Sequence, residues 1–246
     1  FFVGNDYAGY VKHFSLISIY EENVIFIEPG YYALNLLFKW SPVGYFYVFF
    51  IATALSYFFI LRQLCYERIL KWGIFSLVSL GCLIWMNDII RQGIAFSIFI
   101  YSLRYMKKGD FLSYFICVAI ACLFHYSAVV LLFFYFLRYL RLSSIVWILL
   151  IILTFVLQYA GIFRELLKSL IAMIPYYGAY ANKADQYFVT GSVVGIGLIY
   201  KQLIAMCIAL FYPKISNKFY ATLFLSGCVL DNIFLGTFIF ERISNY

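Results

Sequence analysis

Trp85-Met86-Asn87-Asp88-Ile89-Ile90-Arg91-Gln92 sets an amide, a carboxylate and a guanidinium inside a long apolar region. In lipid such groups are expensive: a charge at the centre of a spanning helix costs about 2.5–3.5 kcal/mol on insertion scales. The rest of the chain decides which solvent applies. Of its 246 residues, 65% are hydrophobic and 12% are charged, whereas a soluble domain is about half apolar and about a quarter charged. The chain therefore reads as an all-α, polytopic integral membrane bundle. The residues around Asp88 read as a turn between two of its segments, with polar groups facing a cavity, a partner or surface water.

Working outward, eight apolar segments fall at about 43–61, 73–87, 92–105, 111–124, 128–140, 145–163, 193–212 and 219–240. Several are shorter than the roughly 20 residues needed to cross a core of about 30 Å. The runs 73–105 and 111–140 are thus open to reading as hairpins or as single tilted helices. Charge decides between these. Ten of the eighteen lysines and arginines lie in the loops 62–72, 104–110, 138–144 and 213–218. They are Arg62, Arg68, Lys71, Arg104, Lys107, Lys108, Arg138, Arg141, Lys214 and Lys218. Cations in short loops collect on the cytoplasmic side, and keeping both runs as hairpins places all four loops on one face.

The expected organisation is one integral membrane domain over 1–246, with about eight transmembrane segments. Residues 1–42 form an extracytoplasmic loop with interfacial helices near 7–19 and 29–40, the second opened by Pro29. Six segments follow over 43–163, then an extracytoplasmic loop at 164–192 and two segments over 193–240. The chain begins at Phe1 and stops at Tyr246 just after an apolar segment, so a truncated chain is expected. Lys201 and Asp231 fall within neighbouring antiparallel segments at matched depth, about 12–14 Å from their outer ends. They are expected to form an ion pair, and a register-fixing role outweighs a catalytic or proton-relay one.

Several chemistries are excluded. The net charge of +7 is spread in short clusters between apolar runs and is no nucleic-acid signature. The six cysteines form no CxxC pair and read as small buried apolar residues. There is no Walker A motif, Gly-rich dinucleotide turn, HExxH, GxSxG or acidic triplet for magnesium. His13 and His125 are the only histidines. No cofactor and no metal site is expected.

What remains are polar groups gathered on the outer side. Arg91 and Arg242 offer planar, permanently charged forks suited to phosphate oxygens. His125 and Glu28 are candidate bases. Asp6, Asn87, Asp88 and Gln92 line the same side, and Tyr176, Tyr177 and Tyr180 are placed to stack on sugar rings. Plainer readings stand beside these. Arg91 is equally open to a helix-end pair with Asp88 three residues earlier, Arg242 to an interfacial anchor, His125 to a turn cap, and the tyrosines to a membrane-boundary belt.

The run N-D-I-I-R-Q-G-I-A-F-S-I-F-I-Y-S-L-R-Y, followed by A-C-L-F-H-Y-S-A-V-V-L-L, resembles the EpsG-like, Wzy-type polymerases of bacterial exopolysaccharide, capsule and O-antigen. The shared elements are Arg91-Gln92 and His125-Tyr126-Ser127-Ala128. To these add Gly4, Asp6 and Tyr10, the Glu28-Pro29-Gly30-Tyr31 stretch, and Arg242 with Tyr246. The resemblance implies a multi-pass protein of the bacterial inner membrane. It implies that repeat-unit oligosaccharides on a polyprenyl (undecaprenyl) diphosphate are joined at the outer leaflet, a metal-independent glycosyltransferase reaction. A base, His125 or Glu28, takes the proton of the acceptor hydroxyl, and arginines stabilise the departing diphosphate. Partners would be the lipid-linked oligosaccharide, the bilayer, and a chain-length regulator and flippase of the same pathway. The alternative is a lipid-linked oligosaccharide flippase or another polytopic transporter. Such proteins show inverted repeats and broken central helices, and no repeat is visible here. A ligase using the same lipid carrier is a third reading.

Overall fold

The computed structural model describes residues 6–19, 28–79, 81–172 and 196–234. These residues are helical, with no strand among them. Helix α1 covers Tyr7–Ile19 and α2 covers Pro29–Leu37, with Pro29 at the first helical position as expected. Then come α3 (Gly44–Tyr66), α4 (Leu70–Ser79), α5 (Cys82–Asp88), α6 (Ile90–Lys108) and α7 (Phe111–Phe124). Tyr126–Val130 and Tyr135–Tyr139 are 3₁₀ turns around one α-helical turn, α8 (Leu131–Phe134). The last helices are α9 (Ser144–Tyr159), α10 (Ile162–Ala172), α11 (Ile196–Phe211) and α12 (Lys218–Phe234). The chain forms two compact units, 1–135 and 136–246, described here one at a time.

In the first unit α6 is the core helix, packed against both α3 and α7. Ile90, Ile94, Ala95, Ile98, Phe99, Leu103 and Met106 are buried along it. Its end is set by Gly109, left-handed at φ 86°, where a side chain would be strained. Asp110 then caps α7 by accepting from the Ser113 N–H at 3.1 Å. These two residues turn the chain back, so α7 runs antiparallel to α6.

Side-chain contacts fix the remaining directions. Phe59 meets Tyr101, Arg104 Nε donates to Gln63 at 2.9 Å, and Lys107 pairs with Glu67 at 3.0 Å. Helices α3 and α6 therefore run parallel, and α4 with α5 is the return between them. Tyr114 O–H donates to Leu131 O at 2.6 Å and Tyr135 O–H to Gly109 O at 2.8 Å, so the 126–135 segment comes back toward the Gly109 end. Within this unit the basic residues Arg62, Arg104, Lys107 and Lys108 sit at one end. The start of α6 and the close of α7 sit at the other.

Helix length supports the sequence reading only in part. Among the described residues one helix, Gly44–Tyr66, is long and apolar enough to cross a membrane alone. The helices at Leu70–Ser79, Phe111–Phe124, Tyr126–Tyr139 and Ser144–Tyr159 are apolar but shorter. The expected segment 73–87 is split between α4 and α5, and 145–163 ends at Tyr159. Helix α10 then occupies the start of what the sequence suggested was the loop 164–192. Helix α4 buries none of its residues, and Trp72, Phe75 and Val78 are exposed. An apolar helix with no buried face is suited to hydrocarbon rather than water.

The approach of α2 to α7 positions the site. A Cβ at Gly30 would lie 2.8 Å from the Leu123 backbone oxygen, and a backbone carbonyl inside a helix has no room to retreat. Gly30→Ala should push α2 away from α7 at a cost of about 1–3 kcal/mol. The expected result is a lower midpoint in thermal unfolding, together with loss of the Glu28–His125 contact that α2 delivers.

The second unit packs Trp147 and Ile151 of α9 against Ala205 and Ala209 of α11 and Ala221, Leu225 and Cys228 of α12. The small residues let the helix backbones come close. Lys201 Nζ meets Asp231 Oδ2 at 2.8 Å, the ion pair expected from matched depth. The next residues also pair: Gln202 donates to Asn232 at 2.6 Å, and fully buried Asn232 donates to Thr154 of α9 at 3.0 Å. Three helices are thus tied in register, consistent with a register-fixing role.

Candidate functional site

Three residues far apart in sequence meet at the end of the first unit opposite the basic turns. Glu28 is the residue before α2, Arg91 lies in the first turn of α6, and His125 closes α7. Arg91 Nη1 donates to Glu28 Oε2 at 2.5 Å, and His125 Nδ1 lies 3.1 Å from Glu28 Oε1. Glu28 is 4% exposed and His125 9%.

The local backbone explains why this arrangement is tolerable. Glu28 stands at a helix N-terminus, where a negative charge is favoured, and His125 at a C-terminus, where unpaired carbonyls face it. Arg91 is on the unfavourable side, a cation at an N-terminus, and the carboxylate supplies what the helix does not. Tyr10 of α1 and Tyr31 of α2 stand 5.6 and 5.7 Å from the guanidinium carbon. Arg91 is thereby held over two aromatic faces as well as by an ion pair.

Burial pushes the Glu28 carboxyl up, but the His125 hydrogen bond and the Arg91 charge outweigh it and hold the group below its ordinary value of 4.5. The folded state therefore binds this proton less tightly than the unfolded chain. The stability this gives is fully present above the unfolded value and disappears as pH falls through the lower folded one. Unfolding midpoints of the wild type should drop on acidification through that range, while those of Glu28→Gln should lack this component.

A carboxylate has only acceptors, so the His125 nitrogen facing Glu28 carries the hydrogen. In the neutral ring Nε2 is then a bare acceptor, and it is buried with no hydrogen-bond partner among the described residues. Arg91 Nε and His13 Nδ1 are buried and unpartnered in the same sense. A buried polar atom left unpaired costs about 1–3 kcal/mol; Arg91 and His125 share Glu28, and His13 lies close enough to feel the charges of Arg91 and Glu28, so a ligand at this cluster could satisfy them.

The remaining candidates divide. The Asp6 backbone N–H donates to Asp88 Oδ1 at 3.4 Å, joining the start of α1 to the end of α5. Arg91 pairs with Glu28, 63 residues earlier, in place of the neighbouring Asp88. Asn87 turns to α3 instead, accepting from Thr53 and donating to Tyr57, both at 3.0 Å. Gln92 is buried inside the unit. Arg242, Tyr176, Tyr177 and Tyr180 lie outside the described residues. Among those described, no group of three or more His, Cys, Asp or Glu is arranged to hold a metal ion.

Tyr10 and Tyr31 enter the sequence reading only as elements of the family resemblance and His13 only as one of two histidines; none is assigned a site role there. The available signal was periodic: Asp6, Tyr10 and His13 recur every three or four residues along one face of α1, and Tyr31 follows Glu28 by three.

A helical membrane protein with a buried glutamate shared between an arginine and a histidine is the class these features define. The EpsG family model matches residues 1–246, the whole chain, and the chain belongs to the EpsG family. EpsG is a Wzy-like polysaccharide polymerase family, which supports a role in polysaccharide biosynthesis. No match was found among curated proteins or solved structures.

Proposed function

We propose that this chain polymerises polyprenyl-diphosphate-linked oligosaccharide repeat units into surface polysaccharide at the outer face of the bacterial inner membrane, through about eight transmembrane segments. The observation that carries the reading is the buried Glu28–His125 contact, with Nε2 of the ring left open. It is the base-and-orienter pairing that recurs wherever a hydroxyl must be made nucleophilic.

In the reaction the acceptor sugar hydroxyl donates to His125 Nε2 and gives up its proton as its oxygen attacks the anomeric carbon of the donor chain. A new glycosidic C–O bond forms. The bond from that carbon to the diphosphate oxygen breaks, and the lipid diphosphate leaves with the electron pair. Glu28 fixes the ring tautomer and stabilises the imidazolium as it forms, the role of the carboxylate in a serine-protease triad. Arg91 locks Glu28 in place. Negative charge on the departing diphosphate calls for cationic donors, for which Arg242 is the candidate. Asp6 and Asp88, which meet at this end of the unit, are proposed to line the mouth, and Tyr176, Tyr177 and Tyr180 to stack on sugars.

The charge pattern supports this sidedness. The site end of the first unit is opposite Arg62, Arg104, Lys107 and Lys108, whose clustering marks a cytoplasmic face. The partners proposed are the lipid-linked oligosaccharide, the bilayer, and a chain-length regulator and flippase of the same pathway. The test is reconstitution in liposomes with a lipid-linked repeat unit and a chelator. A ladder of polymer lengths is expected, and single repeat units alone would overturn the proposal.

A further inference from the structure

Resting on that reading, we infer that the cluster of Glu28, Arg91, His125 and His13 forms the acceptor-sugar subsite, a receptor for neutral hydroxyls rather than for the lipid diphosphate, and that His13 is one of its binding residues. Arg91 Nε, His125 Nε2 and His13 Nδ1 are single nitrogens, each shut off from solvent and without a partner among the described residues. They offer a donor, an acceptor and a group able to serve as either, the mixed pattern that a sugar ring of alternating hydroxyls satisfies. A diphosphate presents acceptor oxygens only.

Charge points the same way. The cation at the centre of the cluster, half-buried Arg91, already commits a guanidinium nitrogen to Glu28. The described ionised groups around the cluster are Glu28, Asp6 and Asp88 against Arg91 and exposed Lys12. Three carboxylates against two cations give no surplus of positive charge to attract a phosphate. His13 adds none near neutral pH: burial, then Arg91, lower its affinity for a proton, Glu28 opposes them and Lys12 assists.

His13 is one turn beyond Tyr10 on α1, and Tyr10 packs against both Arg91 and Tyr31. The same helix face that shields the guanidinium therefore carries His13, which feels the charges of both Arg91 and Glu28. A polar side chain there without a ligand is a cost to the empty protein, and an arriving hydroxyl removes it.

The chain has two histidines, so protein labelled with ¹⁵N-histidine in lipid nanodiscs gives two ring spin systems to follow. The probes are inorganic pyrophosphate and a lipid-free repeat-unit oligosaccharide obtained by partial hydrolysis of the producing strain's polysaccharide. The oligosaccharide should shift both His13 and His125 signals, and pyrophosphate should leave them in place. His13→Ala should weaken oligosaccharide binding about five- to tenfold, the loss of one buried hydrogen bond. His13→Asn, which keeps a polar atom near the Nδ1 position, should recover most of it, separating a binding role from a packing one. Shifts caused by pyrophosphate, shifts confined to His125, or no shifts at all would overturn the inference. If the wild type polymerises lipid-linked repeat units but its histidines ignore the oligosaccharide, the subsite assignment alone falls. If it makes no polymer, the parent reading falls.

Discussion

Glu28→Gln, inserted and folded, is expected to make long polymer about 10²–10⁴ times more slowly than the wild type. The substitution keeps the shape of the side chain but leaves one carbonyl, able to accept from Arg91 or His125 and not from both, because they bind different carboxylate oxygens. It removes the charge that both neighbours depend on. Without a carboxylate the His125 ring is no longer confined to the tautomer that leaves Nε2 free, and an imidazolium formed during the reaction has no counter-ion. Stability should fall as well, by about 1.5–3 kcal/mol, the usual worth of a hydrogen bond to a charged group. Glu28→Ala should do more damage, about 3–5 kcal/mol, because it strands the mostly buried Arg91 without a partner. Gel analysis of surface glycan beside a thermal melt in detergent separates the two effects. Wild-type chain lengths from a folded Glu28→Gln protein would remove the carboxylate from the mechanism.

His125→Asn is expected to lose polymer to a similar degree through a different step. Asparagine places an amide nitrogen near the Nδ1 position and can still donate to Glu28, so α2 and α7 stay joined and the melting midpoint should move little. It has no basic nitrogen at the Nε2 position, so the acceptor hydroxyl binds but keeps its proton. The separation to look for is a large fall in turnover with the apparent affinity for lipid-linked substrate nearly unchanged. A fall in affinity with turnover preserved would make His125 a binding group and leave the base unassigned.

Much of this site was legible because lipid penalises charge. Glu28, Arg91 and His125 stand out in the sequence as polar groups at the ends of apolar runs, and placing the basic loops on one side puts all three at the opposite end. The Lys201–Asp231 pair was legible for a related reason, since two charges buried at equal depth on antiparallel neighbours have little choice of partner.

What the sequence could not supply was which groups touch. Arg91 has a carboxylate three residues away in Asp88, yet its partner comes from a loop 63 residues earlier. That choice depends on how closely α2 can approach α7, which a missing side chain at Gly30 decides and no periodicity reveals. His13 was hidden differently, for a histidine in a short amphiphilic helix is unremarkable until its ring nitrogen is found buried without a partner. The 3₁₀ geometry of Tyr126–Val130 and the break between α4 and α5 were likewise invisible, because hydropathy records that a segment is apolar but not how it is wound.

Sidedness is the claim on which the chemistry depends, and accessibility in intact cells tests it most directly. In a background with the six native cysteines replaced, single cysteines would be placed at Lys12, beside the site, and at Lys108, at the basic end. A membrane-impermeant maleimide applied to whole cells should label position 12 and should reach position 108 only after permeabilisation. Labelling of position 108 from outside, with position 12 protected, would contradict the account.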